Sequence, residues 1–212
     1  MNNEIIQKKD AIIKILTKEE ILSIYTTHAV RHFPENELKP ASSIERMSEE
    51  GIYTGYGLYL SHKPEELLGY AFFTILPGTS VSLLDYFAVM EEYRSHGIGS
   101  LFLQYMKSSS QSFHGFLIES EDPDYATDSQ ESAIRCKRLA FYEKNGALPT
   151  GIKATVFGVP YRLLFFPLNI EQTPSAGKIP SIQELDSCFR NIYRHMVSRQ
   201  HYKSQIHISL PS

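Results

Sequence analysis

The sequence has no run of twenty apolar residues, so no helix is expected to span a membrane. Its two cysteines, Cys136 and Cys188, stand far apart and form neither a disulfide framework nor a metal-binding spacing. The start, Met1-Asn2-Asn3-Glu4, lacks the basic-then-apolar pattern of a secretion signal. Basic charge is not in excess: the net charge is −3 and the pI is near 6.2, which argues against general nucleic-acid binding. No Gly-Lys-Ser/Thr follows a glycine-rich loop, and Gly-x-Gly-x-x-Gly is absent, so two common nucleotide-binding patterns fit poorly. No internal repeat appears. The expectation that remains is a soluble cytoplasmic protein whose 42% hydrophobic content can fill a substantial core. A length of 212 residues favours one domain with an appendage.

The chain is organised around residues 83–107. Val81–Val89 is mostly β-branched, aromatic or aliphatic with Asp85 its single charge, the pattern of a well-buried strand. After Glu91-Glu92-Tyr93 comes Arg94-Ser95-His96-Gly97-Ile98-Gly99, and a helical pattern begins at once. Ile98, Leu101, Phe102, Tyr105 and Met106 share one face of that helix. A helix N-terminus leaves backbone N–H groups without partners and carries partial positive charge. Two glycines there let the backbone approach a ligand, which makes a phosphate seat; a ligand-free turn is the alternative.

Strand, Arg94-x-x-Gly97-x-Gly99 loop and amphipathic helix together resemble the cofactor loop of the GNAT acetyltransferase superfamily. A second stretch agrees. The helix opening at Asp128 and closing at Gly146 ends Phe141-Tyr142-Glu143-Lys144-Asn145-Gly146, which resembles the family's final core helix. The resemblance implies an α/β (α+β) fold with a mixed sheet of about six to seven strands, flanked by helices and splayed at the cofactor strand. It also implies an N-acetyltransferase, an acyltransferase that moves the acetyl group of acetyl-coenzyme A (acetyl-CoA) directly to an amine in a ternary complex. No metal is implied.

In order, Ala11–Leu16 suits a first strand or a helical turn. Thr17-x-x-Glu20 then forms a capping box, opening a helix that ends at Pro34 and buries Ile21, Ile24, Tyr25, His28 and His32. His28 and His32 sit four apart, but no partner motif supports a metal. Glu35-Asn36-Glu37 is an acidic loop: solvated surface, or a rim suited to a cationic amine. Ser42-x-x-Glu45 opens a second helix. Strands are expected at 55–60 and 67–76 around a turn at 62–65, at 115–120, and at 156–159 and 161–166 on either side of Pro160. The recognisable domain covers residues 1–168. Residues 169–212 hold a linker at 171–178, a helix capped by Ser181-x-x-Glu184 and a tail, docked on the core or on a second subunit in a homodimer.

The resemblance assigns the site. Backbone groups of Phe87, Ala88 and Val89 would pair with the pantetheine arm, and the Val89 N–H would face the thioester oxygen. Arg94, Ser95, His96, Gly97, Ile98, Gly99 and Ser100 would hold the pyrophosphate. Tyr142 would protonate the departing thiolate. The position where some members carry a glutamate base is Leu83 here; Glu119, at the end of the next strand and nearer the expected acceptor, ranks ahead of Asp85, each acting directly or through a water. Where many members have asparagine on the last helix, this chain has Arg135, which would reach a phosphate or face solvent. The partner is a small-molecule or peptide amine acceptor, with neither nucleic acid nor membrane. A longer acyl group, or a non-catalytic acyl-CoA-binding module, are the competing readings.

Overall fold

Ala11–Ile15 (β1) forms a strand rather than a helical turn, antiparallel to Tyr53–Leu60 (β2) with Ala11 opposite Leu60. This belongs to a computed structural model that describes residues 6, 10–108, 114–168 and 179–211. Strand β2 pairs antiparallel with Lys63–Thr74 (β3), Leu60 facing Lys63. The turn expected at 62–65 is therefore only Ser61-His62, since Lys63 is already paired with Leu60. The chain divides into two compact units, residues 1–74 with 85–109 and residues 75–84 with 110–212.

In the first unit, the Thr17–Glu20 capping box opens Lys18–Ile24 (α1) as predicted. That helix continues through a π-helical turn, Tyr25–Ala29, into Val30–His32 (α2). It stops at Phe33, which turns extended ahead of Pro34. The next helix, Ala41–Glu49 (α3), does not use the expected Ser42–Glu45 cap. It starts two residues earlier, on the Pro40 carbonyl, which accepts from Ser43 N–H at 2.8 Å. Glu45 is drawn instead to Lys18 Nζ at 3.4 Å. Asp85–Val89 of the organising strand, Val81–Val89 (β4), also lies in this unit. So does the helix that follows it, Ile98–Ser108 (α4).

In the second unit, Val81–Leu84 pairs in parallel with residues 115–118 of Gly115–Glu121 (β5). Asp128 caps Ser129–Lys144 (α5), and Gly146 at φ +104° closes it. Leu148–Val156 (β6) and Val159–Pro167 (β7) form the closing hairpin, and β7 pairs antiparallel with β5. The break expected at Pro160 falls at Phe157-Gly158, both at positive φ as such a turn requires. Pro160 sits inside β7, where its carbonyl accepts the Asp122 N–H at 2.9 Å. The expected linker at 171–178 lies outside the described residues. Ser181 and Glu184 close a capping box on Ile182–Met196 (α6), and Arg199–Gln205 (α7) leads into Ile206–Ser209 (β8), which pairs with β6. Helix α6 packs on β6 with Leu185, Phe189, Ile192, Tyr193 and Met196 buried.

The sheet is mixed and eight-stranded, in the order β1-β2-β3-β4-β5-β7-β6-β8. Its strands exceed the expected six to seven because β8 adds an edge. Inside the first unit, β3 runs close to β4 where Gly69 has no side chain. A Cβ there would sit 2.7 Å from the Ala88 carbonyl oxygen. Gly69→Ala must push the two backbones apart, a strain of about 1–3 kcal/mol. Thermal unfolding should show Tm lowered by several degrees; an unchanged Tm would mean that β3 adjusts freely.

Candidate active site

Strand β4 ends at Val89, and Met90 N–H donates to the Leu68 carbonyl at 3.0 Å. Peptide groups alternate along a strand, so those of Phe87 and Val89 turn away from β3. Glu91–Tyr93 makes one 3-10 turn, and the Tyr93 hydroxyl donates to the Glu66 carboxylate. Arg94 Nε donates back to the Val89 carbonyl at 3.1 Å, tying the loop to the strand end. Ser95 and Gly97 then take left-handed conformations, φ 65° and 79°, which turn the chain into α4.

Leu101 N–H is the first of the helix to reach a carbonyl, that of Gly97, at 3.0 Å. The amides of Ile98, Gly99 and Ser100 thus precede the helical ladder. A Cβ on Gly97 would meet no atom within 4 Å, so space above the loop is open. Arg94 and His96 are exposed beside it. Donors, open space and positive charge fit a phosphate. The helix bearing them is held from below, with Ile98, Phe102, Leu103 and Met106 buried and the Phe87 and Phe102 rings 5.6 Å apart.

Still in the first unit, Asp85 is locked in place. Lys39 Nζ lies 2.5 Å from Oδ1, and the Tyr53 hydroxyl donates to Oδ2 at 2.7 Å. Tyr86 donates to the Glu37 carbonyl at 3.0 Å and accepts the Lys39 N–H at 3.0 Å, while Tyr25 donates to the Lys39 carbonyl at 2.5 Å. The acidic segment 35–37 is therefore pinned at its end by buried phenols. His28 and His32 stack, and His32 Nδ1 is 3.0 Å from the buried Tyr70 hydroxyl. Burial, with the charges of Arg94 and His28, holds His32 below its ordinary pKa. Among the described residues, no cluster of histidine, cysteine and carboxylate side chains is arranged to hold a metal.

In the second unit, Tyr142 is buried near the C-terminal end of α5. Burial, partly offset by Arg138, pushes its phenol up to about 12. Glu119 is half-buried on β5, and Tyr193 of α6 donates to its Oε1 at 2.6 Å. Arg135 does not face solvent. Its guanidinium is buried on the Asp122 carbonyl at 2.9 Å, Glu131 Oε1 at 2.6 Å and Glu121 Oε1 at 3.1 Å. The loop and strand residues, Phe87–Val89 and Arg94–Ser100, thus share the first unit, and Glu119 and Tyr142 share the second. The Lys39–Tyr53–Tyr86 contacts and the Tyr193–Glu119 bond were not foreseen. Their partners are tens of residues apart in the chain, and no local spacing signals them.

The sequence model of the acetyltransferase (GNAT) family matches residues 19–146, more than half of the chain. The chain belongs to that family. Comparison with curated proteins gives no match. Among solved structures, the fold is similar to a spermidine N-acetyltransferase (SpeG) variant from Vibrio cholerae, with TM-score 0.56 and 11% identity over 79% of this chain and 99% of that one. A dodecameric form of the Vibrio cholerae enzyme gives TM-score 0.55 and 9% identity over 79% and 99%. A ribosomal-protein alanine N-acetyltransferase from Escherichia coli gives 0.52 and 16% over 74% and 94%. At these identities the likeness establishes the GNAT fold and nothing finer.

The buried phenols of this GNAT protein make its stability sensitive to alkali. A phenol in the unfolded chain ionises near 10, whereas burial raises Tyr142, Tyr53, Tyr70 and Tyr86. The unfolded state therefore loses protons first. The stabilisation is complete below about pH 10 and is lost as pH climbs through the folded values, about 3 kcal/mol for Tyr142 alone between about 10 and 12. Denaturant unfolding midpoints should be level up to about pH 10 and fall above it, with a shallower fall in Tyr142→Phe. A midpoint level through about pH 12 would contradict this account.

Proposed function

We propose that the protein moves an acetyl group from acetyl-CoA directly to an amine, with both molecules bound together and no covalent enzyme intermediate. The observation that carries this reading is the left-handed Gly97 turn, open above and leading into α4, in a chain of the GNAT family. Acetyl-CoA supplies the activated acyl thioester. The chain's own part is to bind, orient and manage protons.

In this reading, the amides and side chains from Arg94 to Ser100 seat the pyrophosphate. The peptide groups of Phe87 to Val89 align the pantetheine arm as an added strand, and the Val89 N–H polarises the thioester carbonyl. Holding both reactants side by side supplies much of the rate. Tyr142 protonates the departing thiolate. A phenol near 12 is a weaker acid than a thiol of about 8.5, so this transfer is uphill when the thiolate is solvated. A desolvated thiolate is also destabilised, which brings the two closer.

Glu119 takes the proton of the attacking amine, directly or through a water. Asp85 suits that task less, since it is already paired with Lys39 and bonded to Tyr53. The acidic Glu35 and Glu37 favour a cationic acceptor. Residues 1–168 form the catalytic domain in this reading, and residues 169–212 an appended segment that is docked through α6.

Titration calorimetry with acetyl-CoA tests the seat. The native protein should bind, and Gly97→Glu, which adds bulk and negative charge there, should not. The variant's circular dichroism establishes whether it is folded. No binding by the native protein would end the acetyltransferase reading. Tyr142→Phe should still bind acetyl-CoA but turn over roughly a hundred-fold more slowly, the smaller end of general-acid effects. Undiminished thiol release by Tyr142→Phe would remove it from the mechanism.

A further inference from the structure

We propose that Tyr193 is a positioning residue for the Glu119 carboxylate, so that α6, which lies outside the segment matched to the family, completes the proton-accepting group. The inference rests on the reading of Glu119 as base. Tyr193 is 2% exposed, and its hydroxyl donates to Glu119 Oε1 at 2.6 Å across 74 residues of chain.

The core fixes where that phenol points. The Ser181–Glu184 capping box starts α6, and Leu185, Phe189, Ile192 and Met196 bury its apolar face. The Phe189 ring packs 4.8 Å from that of Tyr193. Beyond α7 the chain pairs as β8 with β6, Val156 opposite Ile206, so the helix is clamped on both sides. A hydroxyl carried by such a frame cannot follow a wandering carboxylate, so the carboxylate is held to it.

The neighbouring acid shows why a phenol matters. Strand alternation turns Glu119 and Glu121 to the same face of β5. From α5, Arg138 Nη1 and Arg135 Nη2 both pair with Glu121. From β7, Arg162 is engaged by Asp122 and Asp124. A carboxylate neutralised by two guanidiniums is a poor proton acceptor. The Tyr193 hydroxyl orients Glu119 Oε1 and, as a hydrogen-bond donor to a carboxylate, favours the ionised form without adding a charge of its own.

The test is the titration of Glu119 itself, which needs no acceptor. Carbon-13 NMR of protein labelled at the glutamate carboxyl reads each midpoint, and the resonance missing from Glu119→Gln identifies the right one. In Tyr193→Phe, which keeps the ring in the core, the Glu119 midpoint should rise by roughly half a pH unit or more. Loss of packing alone would not move it, so an unmoved midpoint overturns the inference and leaves the base reading intact. Thiol release from acetyl-CoA, with spermidine and an alanine-ended peptide offered together, separates the other failure. Native turnover by Glu119→Gln would dismiss Glu119 as base, and the role of Tyr193 with it. The supporting result is a raised midpoint in Tyr193→Phe together with lost turnover in Glu119→Gln.

Discussion

The backbone reversal at Gly97 is the constraint on which the site depends. Strand β4 must give way to helix α4 within a few residues, and the turn needs φ values that L-residues disfavour, 65° at Ser95 and 79° at Gly97. The reversal leaves the first amides of α4 without helical partners, and a Cβ on Gly97 would meet only open space. It holds because both flanks are anchored. Arg94 bonds back to Val89 below the loop, and α4 sinks Ile98, Phe102 and Met106 into the core beyond it. Gly69 contributes from the other side, since only a residue without a side chain lets β3 lie so close to Ala88.

Carboxylates of similar intrinsic acidity are differentiated by their partners. Asp85 has an ammonium and a phenol, Glu121 has two guanidiniums, and Glu119 has the phenol of Tyr193. Asp122 shows how such contests resolve. Burial pushes its carboxyl up, but Lys153, the Asp124 amide and Arg162 together outweigh that and hold it below the usual range. Its contribution to stability is therefore present above the ordinary aspartate value and lost as pH falls. Ion-paired carboxylates of this kind build the second unit.

Much of the fold was legible because it is written in local spacing. The apolar run of Val81–Val89, the capping boxes at Thr17 and Ser181 and the glycine closing α5 each depend on residues within a few positions. Reading failed where local signals competed with distant partners. Ser42-x-x-Glu45 has capping-box spacing, yet Glu45 serves Lys18 on another helix. Pro160 looks like a strand break, yet the positive φ of Phe157 and Gly158 places the turn earlier. Strand β8 is too short and polar to announce itself, and it exists because β6 offers an edge.

The sequence by itself determined the family, the glycine loop before α4 and the helix carrying Tyr142, since each is a short motif whose geometry follows from glycine, capping and periodicity. Only the tertiary structure decided the partners of each acid: Lys39 on Asp85, Arg135 on Glu121, Tyr193 on Glu119. The physical reason is separation. A hydrogen bond acts over about 3 Å in space, while these partners lie from 14 to 74 residues apart in the chain, a distance that only the packed sheet and its helices remove.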